Sequence, residues 1–162
     1  MNIAAMTLMA AMAGVAAESR PHQQKLTVYL LDNAGVPPTD PRLRRAIEWL
    51  CHHQNTDGGW GEDLRSYRDP AWIGRGDSTA SQTAWALLAL LAAAEPNAEN
   101  SSSLERGLAF LTSTQRPDGT WDEPLFTGTG FPGDFYINYH LYRQVFPLMA
   151  LGRAWQQRST DA

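Results

Sequence analysis

The sequence is poor in cysteine, in charge of one sign and in long apolar runs, and each shortage removes a class of protein. Cys51 is the only cysteine, which excludes an internal disulfide and leaves a reduced compartment or an inconsequential thiol, expected on a helix. The formal net charge is -4 and the twelve arginines are scattered rather than gathered into a stripe, so no nucleic-acid partner is expected. No run reaches the roughly 18 apolar residues of a membrane-spanning helix. There is no glycine loop to cradle phosphate and no Ser-His-Asp arrangement. His52 and His53 are adjacent to each other and to Cys51. They therefore point in different directions around a helix, a poor geometry for one metal, and no metal or cofactor is expected.

What is abundant is aromatic: six Trp, five Tyr and five Phe, most of them between Trp49 and Trp155. The first twenty residues are small and apolar and end near an Ala-rich site, as a signal peptide would, but they lack a positive n-region. The end of a truncated helix is the favoured reading.

The chain repeats itself with a register of 61 residues. RLRRAIEWLCHHQNTDGGWGE (42 to 62) lies over SLERGLAFLTSTQRPDGTWDE (103 to 123), with Leu43/Leu104, Arg45/Arg106, Leu50/Leu111, Gln54/Gln115, Asp57/Asp118, Gly58/Gly119, Trp60/Trp121 and Glu62/Glu123 identical. Each copy reads as a helix followed by an Asp-Gly turn. Asp40 with Pro41 is expected to cap the first helix, and Ser101 to Ser103 the second. Between the copies, DSTASQTAWALLALLAAAEP carries almost no charge, so its helix should be buried on nearly every side. After the second copy, FPGD (131 to 134) is expected to cap a last helix from about Tyr136 to Gln157, kinked at Pro147. Helix pairs repeated at fixed spacing point to an all-α fold, a partial α/α toroid or solenoid whose units cannot bury their apolar faces alone.

Both copies carry Gln-x-x-x-Gly-x-Trp after the helix: Gln54, Gly58 and Trp60, then Gln115, Gly119 and Trp121. The spacing suits a clasp in which the amide bonds orphan helix carbonyls, Asp-Gly turns the chain, and the indole returns against the amide. Spacing and lead-in resemble the QW motif of squalene-hopene and oxidosqualene cyclases. TGTGFPGDFYINYHLYRQVFPLMALGR (127 to 153) resembles the C-terminal segment of bacterial squalene-hopene cyclases, and WGEDLRSYRDP with SQTAWALLAL resembles the stretch before it. The resemblance covers roughly residues 40 to 155. It divides the chain into a poorly matching segment, 1–39, and a cyclase C-terminal-like domain, 40–158, a fragment of an (α/α)6 barrel.

The resemblance implies a substrate, squalene or a similar polyprene, cyclised to hopene without metal or organic cofactor. Such cyclases protonate an alkene and steer a carbocation, which aromatic faces stabilise without acting as nucleophiles. At 100° per residue, Phe135, Tyr139, Tyr142 and Phe146 fall within roughly 60° of one another on a helix. By position in the family pattern, Trp60, Phe131, Phe135, Tyr139 and Tyr142 correspond to cavity aromatics, whereas Trp121 is a clasp only, and Tyr67 is a weaker candidate. The family's proton donor, an acid in a D-x-D-D run, has no counterpart in these 162 residues. Glu62-Asp63 and Asp122-Glu123 follow the clasp tryptophans and read as caps or ion pairs, so no catalytic residue is assigned. Turnover by the chain alone is not expected; it reads as a gene remnant or as half of a split enzyme with a complementing cyclase half. The implied location is the cytoplasmic face of a membrane. Two readings compete: a non-catalytic helical module that binds isoprenoid, lipid or a membrane surface, and a carbohydrate-active toroid, which needs two carboxylates about 5 to 10 Å apart across a cleft.

Overall fold

The computed structural model describes residues 40–92, 98–130 and 135–160. The expectations for segment 1–39, for FPGD and for Phe131 lie outside the described residues. The elements in order are α1 (Pro41–His52), two 3-10 turns (Leu64–Tyr67 and Pro70–Trp72), α2 (Ala80–Ala92), α3 (Ala98–Thr114), strands β1 (Gly128–Gly130) and β2 (Phe135–Ile137), and α4 (Tyr142–Thr160).

Each helix follows from its apolar spacing. Pro41 opens α1, where a missing N–H costs nothing. Leu43, Ile47, Leu50 and Cys51 recur at helical spacing and form its buried stripe. In α2 every residue from Ala80 to Leu91 is buried, as the near absence of charge requires. Two of its buried hydroxyls are matched: Thr83 Oγ1 accepts from Trp60 N at 2.9 Å and Ser81 Oγ donates to Glu123 at 2.7 Å. Helix α4 makes the most extensive contact with α2, and α3 packs on both α2 and α1. The close approach of α3 depends on Gly107, where a Cβ would stand 2.7 Å from Leu87 Cδ2 and 2.8 Å from Trp60 Cζ3.

The 61-residue offset also carries α2 onto residues 141 to 153, all but the first inside α4. The described domain is therefore two copies of one helix pair, α1–α2 and α3–α4, with α2 central. This is the helical fold of the α/α toroid family.

The two clasps coincide bond for bond. Gly58 N donates to Asn55 O at 3.0 Å and Gly119 N to Arg116 O at 2.9 Å, closing each turn. Gly58 and Gly119 have φ of +89° and +83°, a region that glycine enters without Cβ strain. Asp57 Oδ1 accepts from Gly59 N and Asp118 Oδ1 from Thr120 N, both at 3.0 Å. Gln54 Nε2 donates to Gly58 O at 2.7 Å and Gln115 Nε2 to Gly119 O at 3.0 Å. Trp60 Nε1 donates to Leu50 O at 2.8 Å and Trp121 Nε1 to Leu111 O at 2.9 Å. The expected division of labour is thus reversed: the indole takes a carbonyl in the last turn of the helix, and the amide braces the turn. An indole N–H projects far enough to reach back ten residues while its ring fills the core, which a carboxamide at the helix end cannot do.

Two further expectations are corrected. Ser101 to Ser103 lie inside α3, which extends at least to Ala98 and carries Glu99 in its first turn, where an acid complements the helix dipole. The last helix starts at Tyr142, not Tyr136, because Phe135–Ile137 pairs antiparallel with Gly128–Gly130. Pro147 lies inside α4; the residue is buried and sits in the second turn, where its missing N–H leaves the Arg143 carbonyl without its usual helical donor.

Replacing either clasp indole by phenylalanine keeps a ring but removes the donor to a buried helix terminus. Trp60→Phe and Trp121→Phe are each expected to lower the free energy of unfolding by about 1 to 3 kcal/mol in urea titrations. Equality with the wild type would show that the bond contributes nothing.

Candidate functional site

The aromatic residues of the second half converge where the loop after β2 meets the α2–α4 seam. Tyr139, in that loop, stacks on Tyr142 with ring centres 4.8 Å apart and planes at 17°. Tyr142 meets Phe146 edge-on at 5.1 Å, one turn along α4. Trp85 of α2 closes the group, edge-on to Tyr142 at 5.8 Å and to Phe146 at 5.4 Å. Edge-to-face geometry joins the positive rim of one ring to the negative face of the next. Trp85 is buried, Tyr142 and Phe146 are half-buried and Tyr139 is exposed, so the cluster grades from core to solvent. Trp85 Nε1 is buried without a hydrogen-bond partner among the described residues.

Among the expected site residues, Tyr139 and Tyr142 are brought together. Phe135 is not on their helix: it lies exposed in β2, opposite Gly130. The expected four-ring helical face is therefore replaced by two rings on α4, one in the preceding loop and one contributed by α2. Next to Phe135, Tyr136 is exposed and pairs with Phe126 across the strands at 5.3 Å. Trp60 is fully buried and carries the same clasp bond as Trp121, so the structure draws no distinction between the two. Tyr67 is half-buried in the first 3-10 turn. Trp85 was not singled out from sequence; its signal was available, since it is the only aromatic in an otherwise aliphatic buried helix.

The acidic residues after the clasps are held in polar contacts. Glu123 is buried and accepts from both Ser81 N at 2.8 Å and Ser81 Oγ at 2.7 Å. A carboxylate contributed from beyond the second clasp thus caps the first turn of α2. Glu62 accepts from Ser66 Oγ at 2.8 Å and Gly74 N at 3.1 Å, tying down the loop that contains the 3-10 turns. Asp63 is held below the usual carboxylate range by its hydrogen bond to Arg65, and Asp122 pairs with Arg116 at 2.7 Å.

His52 and His53 each place Nδ1 2.8 Å from a carbonyl four residues back, and His53 stacks on Trp49 at 3.9 Å. No group of three or more His, Cys, Asp and Glu is placed to hold a metal ion among the described residues. Cys51 is buried on α1, its Sγ 3.4 Å from Asn100 Oδ1, and burial raises its thiol pKa.

Two outcomes follow. Glu123→Ala leaves Ser81 N and Oγ without their acceptor and is expected to lower stability by about 1 to 3 kcal/mol by chemical denaturation; an unchanged midpoint would contradict the cap. Cys51, buried and with its thiolate disfavoured, is expected to react with a soluble disulfide reagent at pH 8 much more slowly in the folded chain than in urea. Equal rates would contradict the packing of α1 on α3.

A family model described as the squalene-hopene cyclase C-terminal domain matches residues 23–156. The match begins upstream of residue 40, where the resemblance read from sequence starts. The squalene-hopene cyclase of Alicyclobacillus acidocaldarius is 56% identical over 184 aligned residues, covering 82% of this chain and 29% of that protein. The squalene-hopene cyclase of Bradyrhizobium diazoefficiens is 50% identical over 133 residues, 82% of this chain and 20% of its own length. Human lanosterol synthase is 37% identical over 111 residues, 68% of this chain and 15% of its own. The chain spans less than a third of the length of these relatives. Two clasped helix pairs, an aromatic cluster on their seam and a family match across most of the chain lead to one conclusion: this chain belongs to the squalene-hopene cyclase family and corresponds to its C-terminal domain.

Proposed function

We propose that this chain supplies part of the cavity wall of a squalene-hopene-type triterpene cyclase, where its aromatic rings stabilise cations formed late in the cyclisation of squalene or a similar polyprene. The observation that carries this reading is the graded cluster of Tyr139, Tyr142, Phe146 and Trp85, three of whose rings belong to or abut one helix. Such rings lower the energy of a passing carbocation by about 1 to 2 kcal/mol each when water is excluded, acting through π faces that carry no localised lone pair. The sequence contains no D-x-D-D acid, and the two buried carboxylates already serve backbone and hydroxyl donors. On this reading the acid is brought by a complementing part of the cyclase. We place it on the cytoplasmic face of a membrane by resemblance; no described helix is long and apolar enough to cross one.

Exposed Phe135, Tyr136 and Tyr139 favour one second reading, a non-catalytic module that binds an isoprenoid or lipid at the same aromatic surface. Product analysis separates the two. The purified chain is incubated with squalene, alone and with a polypeptide containing the D-x-D-D portion of a relative, and extracts are examined by gas chromatography and mass spectrometry. Cyclised product is expected only in the combined incubation, with Tyr139→Ala slowing its formation about ten-fold, as loss of 1 to 2 kcal/mol of cation stabilisation requires. Product from the chain alone would overturn the need for a donated acid. No product in either, with squalene retained by the chain, would leave the binding module.

A further inference from the structure

We infer that Asn138 and Thr127 are positioning residues for the aromatic wall: they fix the backbone around Tyr139 and so hold its ring in the stack on Tyr142, where it can stabilise positive charge. This rests on the cavity-wall reading above and adds the residues that set the geometry of its outermost ring.

Tyr139 is the most exposed ring of the cluster, at 46%, and lies between the end of β2 and the start of α4, in neither element. Its ring nevertheless sits 4.8 Å from that of Tyr142 with the planes only 17° apart. A side chain on an exposed connection exchanges rotamers freely, so a parallel stack there requires a backbone held in place. Both backbone groups of Tyr139 are engaged. Its carbonyl accepts from Tyr142 N at 2.8 Å, at the start of α4, and its N–H donates to Thr127 Oγ1 at 3.2 Å. Thr127 is itself fixed to β2, because its own N–H donates to Ile137 O at 2.8 Å.

Asn138 ties the neighbouring residue to a different segment. An asparagine in a turn commonly bonds backbone two residues away, whereas Asn138 Nδ2 reaches Leu125 O at 3.2 Å and, at greater length, Glu123 O at 3.4 Å. A carboxamide nitrogen carries two N–H groups and can serve two carbonyls, which neither an aliphatic side chain nor a carboxylate can do. The segment it grips is anchored in turn, since the Glu123 carboxylate accepts from Ser81 N and Oγ. Ser81 and Trp85 are about one turn apart on α2, and Trp85 meets Tyr142 edge-on at 5.8 Å. The contacts therefore close on themselves, from Ser81 through Glu123, Asn138 and Tyr139 to Tyr142 and back to α2 at Trp85.

The repeat separates this tether from the needs of the fold. Counted back by 61 residues, Thr127, Asn138 and Tyr139 become Ser66, Asp77 and Ser78. The first copy builds the same clasp and inner helix with neither the asparagine nor the ring, so a clasped helix pair does not require them. They accompany the aromatic surface, which only the second copy carries.

The test follows the full chain by NMR with its five tyrosines labelled in their rings, Tyr139→Phe identifying the signals of Tyr139. A ring-to-ring cross-relaxation peak between Tyr139 and Tyr142 is expected. Asn138→Ala and Thr127→Val should each reduce it by about half or more with the far-UV circular dichroism unchanged, and Thr127→Ser, which keeps the acceptor, should restore it. A peak indifferent to Asn138→Ala and Thr127→Val overturns the inference, and failure of Thr127→Ser to restore it would show that Thr127 acts by packing instead. A second arm measures affinity for dodecyltrimethylammonium below its micellar concentration, with dodecanol as the uncharged comparison. Tyr139→Ala should weaken binding of the ammonium about five-fold and Thr127→Val about three-fold, with little effect on dodecanol. In the Tyr139→Ala background, Thr127→Val and Asn138→Ala should add no further loss, because they act through that ring; an added loss there would overturn positioning. Ammonium binding indifferent to Tyr139→Ala would overturn the cavity-wall reading instead, and the ring-to-ring peak would still decide whether Asn138 and Thr127 hold Tyr139.

Discussion

An indole N–H reaching back to a carbonyl in the last turn of the preceding helix is the interaction on which the rest of this domain depends. Helices end with carbonyls that have no intrahelical donor, and a chain that turns there must satisfy them before it can bury them. Trp60 and Trp121 do both at once, since each donates through Nε1 and fills the core with its ring. The glutamine of each motif braces the turn that brings the indole home. Once the turn is fixed, the position of the next inner helix is fixed with it: Trp60 N and O both meet Thr83 Oγ1 at the start of α2. Glu123, two residues beyond the second indole, ties the same helix end from the other side.

The functional surface inherits its geometry from this arrangement. Because α2 is clamped at its N-terminus by both clasps, Trp85 is presented one turn later against Tyr142 and Phe146. The aromatic cluster is thus assembled across the two copies and belongs to neither alone. Rings interlocked edge to face hold one another in place, so the cluster is a rigid aromatic surface.

Much of this was legible in the sequence. The 61-residue repeat, the burial of α2 and the clasp spacing follow from periodicity and from the charge-free run around Trp85. What was not legible has a common cause. The start of the last helix was placed six residues early because Phe135 to Tyr142 carries helical spacing of aromatics, while the pairing of Phe135–Ile137 with Gly128–Gly130 is a nonlocal bond that periodicity does not report. Ser101 to Ser103 look like a cap by residue type, yet the helix extends beyond them. The roles of Gln54 and Trp60 within the clasp were inverted because spacing gives proximity and not the reach of each donor. Trp85 escaped notice because a buried aromatic in an aliphatic helix reads first as core.

The central claim is that, among the described residues, the first of the two repeated helix pairs is enclosed by its neighbour while the second leaves the apolar residues Val145, Leu148 and Met149 exposed. Hydrogen exchange followed by mass spectrometry on the chain alone tests this most directly. Peptides spanning 80–92 are expected to retain deuterium protection much longer than peptides spanning 142–160, because opening α2 disrupts both copies and opening α4 disrupts one. Equal protection of the two helices would contradict the account.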